Sequence, residues 1–166
     1  MASYEKRGNT WRYRISLGKD AETGKYKYIS NSGFKRKSDA KHHAEMVERQ
    51  LRNGEYIAPS TSTFKQVAND WLKQYANEVK VSSVRAREKA IHHAIERFNN
   101  KPIQTIKKHD YQRFVNDISA QYSKNYVDSI IASTNMIFKY AYDMKLIRKL
   151  PSEGIKRPKK KVSVEE

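Results

Sequence analysis

The chain has 166 residues, with 34 Lys+Arg against 18 Asp+Glu, a net charge of +16 and a pI near 9.9. No window approaches the roughly 20 apolar residues of a membrane span, no apolar stretch follows the first seven residues as in a signal peptide, and the lack of cysteine excludes disulfides and thiol chemistry. With 37% hydrophobic residues, two small cores suit the chain better than one large one, and the positive surplus suits a phosphate backbone, whose counterions it would release on contact.

The surplus is spread along the chain. Residues 1–56 carry 13 basic and 7 acidic groups, residues 57–166 carry 21 and 11, and Lys145 to Lys161 holds eight basic residues against Glu153 alone.

In chain order, Trp11-Arg12-Tyr13-Arg14-Ile15-Ser16-Leu17 alternates apolar with cationic or small residues. After a turn-like Gly18 to Gly24, Lys25-Tyr26-Lys27-Tyr28-Ile29-Ser30 alternates in the opposite order. Side chains on a strand point to opposite faces with period two, so each run predicts one apolar and one cationic face. Trp11, Tyr13, Ile15, Tyr26, Tyr28 and Phe34 are expected against a helix. Arg12, Arg14, Lys25 and Lys27 are expected on the open face, with Ile29 falling awkwardly on that side. A helix is predicted from an N-cap at Ser38, with Asp39 at the positive end of its dipole, Ala40, Ala44, Val47 and Leu51 inward, and Asn53-Gly54 as its stop.

Residues 57–62 read as a linker between a domain at 1–56 and a helical domain at 63–150. Thr63-Phe64-Lys65-Gln66 has capping-box spacing and opens a stripe through Val67, Trp71, Leu72 and Tyr75. A second helix is expected after Ser82-Ser83, a third around Tyr111, Phe114, Val115 and Ile118. Ser123 should cap a fourth and longest one, through Val127, Ile130, Ile131, Thr134, Ile137, Phe138 and Ala141. Residues 151–166 lack apolar periodicity and read as a basic linker.

Catalytic and metal motifs are missing. His42-His43 and His92-His93 are adjacent on predicted helices, so their rings diverge by about 100° and cannot chelate across a turn. There is no Gly-rich phosphate loop, no G-x-S-x-G turn and no clustered carboxylates. No metal and no cofactor is expected.

Three stretches together resemble a family. Trp11 through Gly33-Phe34-Lys35-Arg36-Lys37-Ser38-Asp39-Ala40 is similar to the arm-type DNA-binding domain of phage- and transposon-type tyrosine recombinases (integrases). Thr63-Phe64-Lys65-Gln66-Val67-Ala68-Asn69-Asp70-Trp71-Leu72 resembles the opening of their core-binding, SAM-like domain. Ile137-Phe138-Lys139-Tyr140-Ala141-Tyr142, with Leu150-Pro151 and Ile155-Lys156-Arg157-Pro158-Lys159, resembles its end and the basic linker beyond; the family's usual Asn-Pro is Leu150-Pro151 here. The resemblance implies an α+β fold, a small three-stranded antiparallel sheet with one packed helix followed by an all-α four-helix domain.

It also implies partners and site residues. The family's catalytic domain supplies an Arg, a Lys, a His-x-x-Arg box and a Tyr nucleophile after the linker. No His here is followed three residues later by Arg, so this stretch is expected to bind DNA and cut nothing. The expected partner is double-stranded DNA at arm-type and core-type sites. The chain is expected to be a cytoplasmic, nucleoid-associated bacterial monomer that joins full-length recombinase on DNA, with no membrane contact.

Arm-domain sheets of this family enter a major groove, which assigns Arg12, Arg14, Lys25, Lys27 and Asn31 to the groove. Lys6, Arg7, Lys35, Arg36 and Lys37 are assigned to the flanking backbone. Ser82, Ser83, Arg85, Arg87 and Lys89 would serve at the second helical-domain helix, and Ser123, Lys124 and Asn125 at the fourth, where free N–H groups favour phosphate. Lys156, Arg157, Lys159, Lys160 and Lys161 would follow the duplex. Two other readings stand beside this one: an RNA-binding or ribosome-associated basic protein without a recombination role, and a helical protein-interaction module.

Overall fold

Three strands form the first layer: β1 (Ala2–Arg7), β2 (Thr10–Lys19) and β3 (Tyr26–Phe34), antiparallel in that order. The computed structural model describes residues 1–159. β1 pairs with β2 from Ala2 opposite Ile15 to Arg7 opposite Thr10, and its alternation places Ala2 and Tyr4 with Tyr13 and Ile15. Helix α1 (Lys37–Arg52) covers that face with Ala40, Ala44 and Val47, and Trp11, Ile29, Phe34, Leu51 and Tyr56 complete the core. Inside it the Tyr13 hydroxyl and His43 Nδ1 are hydrogen-bonded at 2.9 Å, and burial raises the Tyr13 pKa. His43 is therefore a structural partner of the sheet.

The strands depart from the expected pattern at two glycines. Ile15 pairs with Ile29, so Ile29 faces the helix while Tyr26 and Tyr28 lie in solvent, the reverse of the expectation. The ladder runs Arg12 to Ser32 and then Trp11 to Phe34, which leaves Gly33 as an extra residue at φ +94°. That bulge lets Ile29 and Phe34, five positions apart, share one face. A second shift leaves Leu17 unpaired, with Gly18 at φ +85°, and carries Lys19 onto the open face. Helix α1 also starts earlier than expected. Its N-cap is Arg36, which makes no side-chain cap bond, and Ser38 lies inside the first turn.

The chain divides into two units, residues 1–56 and 57–166. In the second, α2 (Phe64–Ala76), α3 (Val81–Phe98), a short 3-10 turn (Ile103–Thr105), α4 (Lys108–Gln121) and α5 (Lys124–Asp143) enclose one core. The structure bears out the α+β class. Thr63 Oγ1 accepts from Gln66 N at 3.2 Å, and Gln66 Oε1 accepts from Thr63 N at 2.9 Å, the reciprocal cap its spacing predicts. Phe64, Phe98 and Phe138 meet at centroid distances of 5.3 to 6.5 Å, contacts worth about 0.5–1.5 kcal/mol per pair beyond area burial. Asp110 draws α4 to the preceding loop, accepting from Lys107 N at 2.9 Å and from Lys101 Nζ at 3.0 Å. The backbone bond foremost, and then Lys101, hold its pKa below the usual value.

Residues 57–62 belong to this unit and are bonded to it. Gln104 Nε2 donates to Ala58 O at 2.9 Å, and Ser60 N donates to Gln104 Oε1 at 3.1 Å. Residues 151–159 are likewise attached. Pro151 is buried and Ile155 packs on the core. Gln112 Nε2 donates to Lys156 O at 2.7 Å while Lys156 N donates to Gln112 Oε1 at 2.9 Å, a two-bond backbone clamp. Among the described residues every buried polar side-chain atom has a partner, and no helix is long and apolar enough to cross a membrane.

Candidate nucleic-acid interface

The open face of the sheet carries a graded set of groups. Ser3, Glu5 and Arg7 come from β1, Arg12, Arg14, Ser16 and Lys19 from β2, and Tyr26, Tyr28, Ser30 and Ser32 from β3. Four of these are cationic. The one carboxylate, Glu5, is 3.2 Å from Arg7 Nε. Arg12 Nη2 donates to Ser30 Oγ at 3.3 Å, which steadies one guanidinium without neutralising it. Arg14 lies over Tyr28 at 5.0 Å from the ring centroid, and Lys19 over Tyr26 at 5.5 Å. A row of short serines between long cations leaves the polar tips the most accessible atoms, a surface suited to edges and phosphates inside a groove.

The register places three of the residues expected in the groove elsewhere than on the open face. Asn31 pairs with Tyr13 and so belongs to the helix side, where its Oδ1 accepts from Ser32 N at 2.9 Å. Lys27 pairs with Gly18 on that same side and is ion-paired to Asp20. Lys27, with the backbone and hydroxyl of Thr23, holds the Asp20 carboxyl down at about 2. Lys25 precedes β3 in the turn, where its carbonyl accepts from Asp20 N. Arg12 and Arg14 stand where expected. Lys19, Tyr26 and Tyr28 are the functional candidates that strict alternation missed. The signal for them was available: Ile29 is the one aliphatic residue of its run, and it belongs in the core.

At the rim, Lys35 and Arg36 are exposed in the turn into α1, and Lys37 lies 5.5 Å from the Trp11 ring centroid. Lys6 pairs with Trp11 and projects on the helix side, whereas Arg7 projects on the open side.

In the helical unit, α3 begins at Val81 after Lys80, so Ser82 and Ser83 are first-turn residues and not caps. Arg85 and Lys89 are exposed four residues apart on one stripe. Arg87 turns inward instead. Its Nη1 donates to buried Ser133 Oγ at 3.0 Å, tying α3 to α5. Ser123 is the N-cap of α5 by position but makes no side-chain cap bond.

Helices α3 and α5 are antiparallel, because Arg87 meets Ser133 while His93 meets Tyr126 at 3.0 Å. The two predicted phosphate grips, Ser82-Ser83 and Ser123-Lys124-Asn125, therefore occupy opposite ends of the pair, separated by most of the length of α3, whose 18 residues span about 27 Å in all. The structure does bring Lys124, Arg157 and Lys159 together around a depression of about 600 Å³, with Arg157 ion-paired to Asp128. Lys160 and Lys161 lie outside the described residues.

Comparison with known proteins agrees with this geometry. Residues 2–51 match the arm DNA-binding domain family, and residues 63–119 match the phage integrase N-terminal SAM-like domain family. The prophage ps2 probable integrase of Lactococcus lactis subsp. lactis (strain IL1403) is 28% identical over 117 residues, covering 70% of this chain. The chain spans 29% of that relative's length. A solution structure of the domain N-terminal to the integrase domain of a Staphylococcus haemolyticus protein is 89% identical, covering 62% of this chain and 93% of its own, at a TM-score of 0.47. An integrase-like domain from Bacillus cereus shares the fold at 18% identity and a TM-score of 0.57, covering 66% of this chain and 96% of its own. With its sheet unit matched as an arm DNA-binding domain and its helical unit as a SAM-like domain, the chain belongs to the phage integrases and carries two of their N-terminal domains.

Proposed function

We propose that this chain is the DNA-holding part of a site-specific tyrosine recombinase that integrates or excises a mobile element. The sheet unit reads double-stranded DNA by sequence, and the helical unit grips a second site. One observation supports this most: the sheet buries one face under α1 and leaves the other lined by Arg7, Arg12, Arg14 and Lys19. A major groove admits such a ribbon, and Arg can take the guanine edge through two bonds. Arg85, Lys89, Lys124, Lys156 and Lys159 contribute phosphate contacts, and Ser82, Ser83, Ser123 and Asn125 offer hydrogen bonds at the two helix starts. Lys35, Arg36 and Lys37 grip the backbone beside the groove. Strand exchange belongs to the parent enzyme, and this chain associates with further copies only on DNA.

Selection from a random duplex pool tests the reading, with Arg12→Ala/Arg14→Ala beside the wild type. Wild type should recover a short motif. The double variant should lose that preference, each lost bidentate contact costing about 1–3 kcal/mol, while keeping salt-sensitive binding. Equal recovery of all duplexes, with single-stranded RNA competing as well, would establish generic polyanion binding instead.

A further inference from the structure

Two aromatic rings lie in solvent on the cationic side of the sheet. Tyr26 and Tyr28 are 57% and 49% exposed, whereas Tyr13 and Ile15 opposite are 1% and 3% exposed beneath α1. One exposed aromatic is unremarked on any surface. These two are ordered as a pair, with centroids 6.3 Å apart and planes 29° from parallel. Arg14 covers Tyr28 and Lys19 covers Tyr26. The cations fix the ring orientations in advance, so less side-chain freedom is lost when a ligand arrives.

Resting on the duplex-binding reading above, we infer that Tyr26 and Tyr28 are a thymine-reading strip, whose ring surfaces pack on the C5-methyl groups of the target. The thymine methyl is the apolar feature that a base pair presents in the major groove, where the other groups are donors and acceptors. A ring backed by a cation offers a matching apolar surface beside groups that take guanine edges or phosphate. The 6.3 Å ring spacing is close to two base-pair rises of about 3.4 Å, so the rings meet thymines two steps apart. Clamping an unpaired base is disfavoured by the same geometry: the near-parallel rings leave no room for a base between them, and each has a cation over one face.

The test removes only the methyl. The duplex recovered by selection is compared with copies in which each thymine is replaced singly, and then all together, by deoxyuridine. Loss of one methyl contact should weaken wild-type binding about fourfold, at two positions two steps apart. Tyr26→Ala/Tyr28→Ala should bind the thymine and uracil duplexes alike, and Tyr26→Phe/Tyr28→Phe should keep the full discrimination. Both variants alter exposed side chains, and an unchanged amide spectrum verifies their fold.

Wild type that binds the duplex but ignores deoxyuridine everywhere overturns the inference and leaves the DNA-binding reading intact. Discrimination that persists in the alanine variant overturns it equally, as does tighter binding to single strands with the tyrosines required, which would make the rings a stacking platform. Failure of selection itself removes the reading beneath it.

Discussion

Asp20 shows how one side chain shapes the sheet's open face from outside it. It accepts from Glu22 N at 3.0 Å and Thr23 N at 2.8 Å and pairs with Lys27, closing the loop between β2 and β3. Its carboxyl is held at about 2, against 3.8 ordinarily, so its contribution is complete above the ordinary value and is lost as pH falls through the depressed one. Amide resonances of Glu22 and Thr23 should hold steady from neutral pH to about 4 and move between there and about 2. Lys27→Ala should raise the Asp20 pKa. It should also cost less DNA affinity than Arg14→Ala, because Lys27 is on the helix side.

At the scale of elements, the caps give a paired prediction. Thr63→Ala removes an observed cap bond and should destabilise the helical unit by about 1 kcal/mol in denaturant melts. Ser123→Ala removes a hydroxyl with no cap bond and should leave the midpoint nearly unchanged. Gln112→Ala deletes the clamp on Lys156 and should speed tryptic cleavage of the Lys156–Arg157 bond.

What the sequence disclosed follows the length of each pattern. The four helical stripes were legible, because Phe64 to Tyr75 or Val127 to Ala141 repeats the 3.6-residue period several times and averages out exceptions. Helix starts were less so: the Ser82-Ser83 and Ser38 signals point two to three residues late, since Lys80 and Arg36 occupy the caps without bonding as caps. Beyond Ser16 alternation alone misplaced the strand register, because a single extra residue reverses a period-two pattern, and Ile29 was the one residue whose apolar side chain pointed to the true one. The attachment of residues 57–62 and 151–159 depends on Gln104 and Gln112, polar partners remote in sequence that no local pattern announces.

For the whole molecule, two DNA-binding units on one chain raise the effective concentration of each at its site when both can engage. Immobilised arm-site duplex carrying bound protein should retain a second, labelled core-site duplex, and a chain cut between the units should not. The net charge of +16 should give log affinity a steep negative slope against log salt, about −0.9 for each phosphate neutralised; Lys124→Ala should flatten it by about one such increment.

Gly33 adds a different kind of vulnerability. Its φ of +94° is one that Val cannot adopt without strain, so Gly33→Val removes the bulge, and the ladder has two ways to close. Either Phe34 leaves the core, or the upstream strand slips by one and exchanges its sides, hiding Tyr26 and Tyr28 and expelling Ile29. The second outcome is a protein turned inside out along one ribbon, intact by far-ultraviolet dichroism yet blind to its target. Protection of both tyrosines from nitration in that variant would reveal it. The bulge thus acts as a phase setting for the sheet, and an error in phase exchanges one surface for another where most mutations merely weaken one.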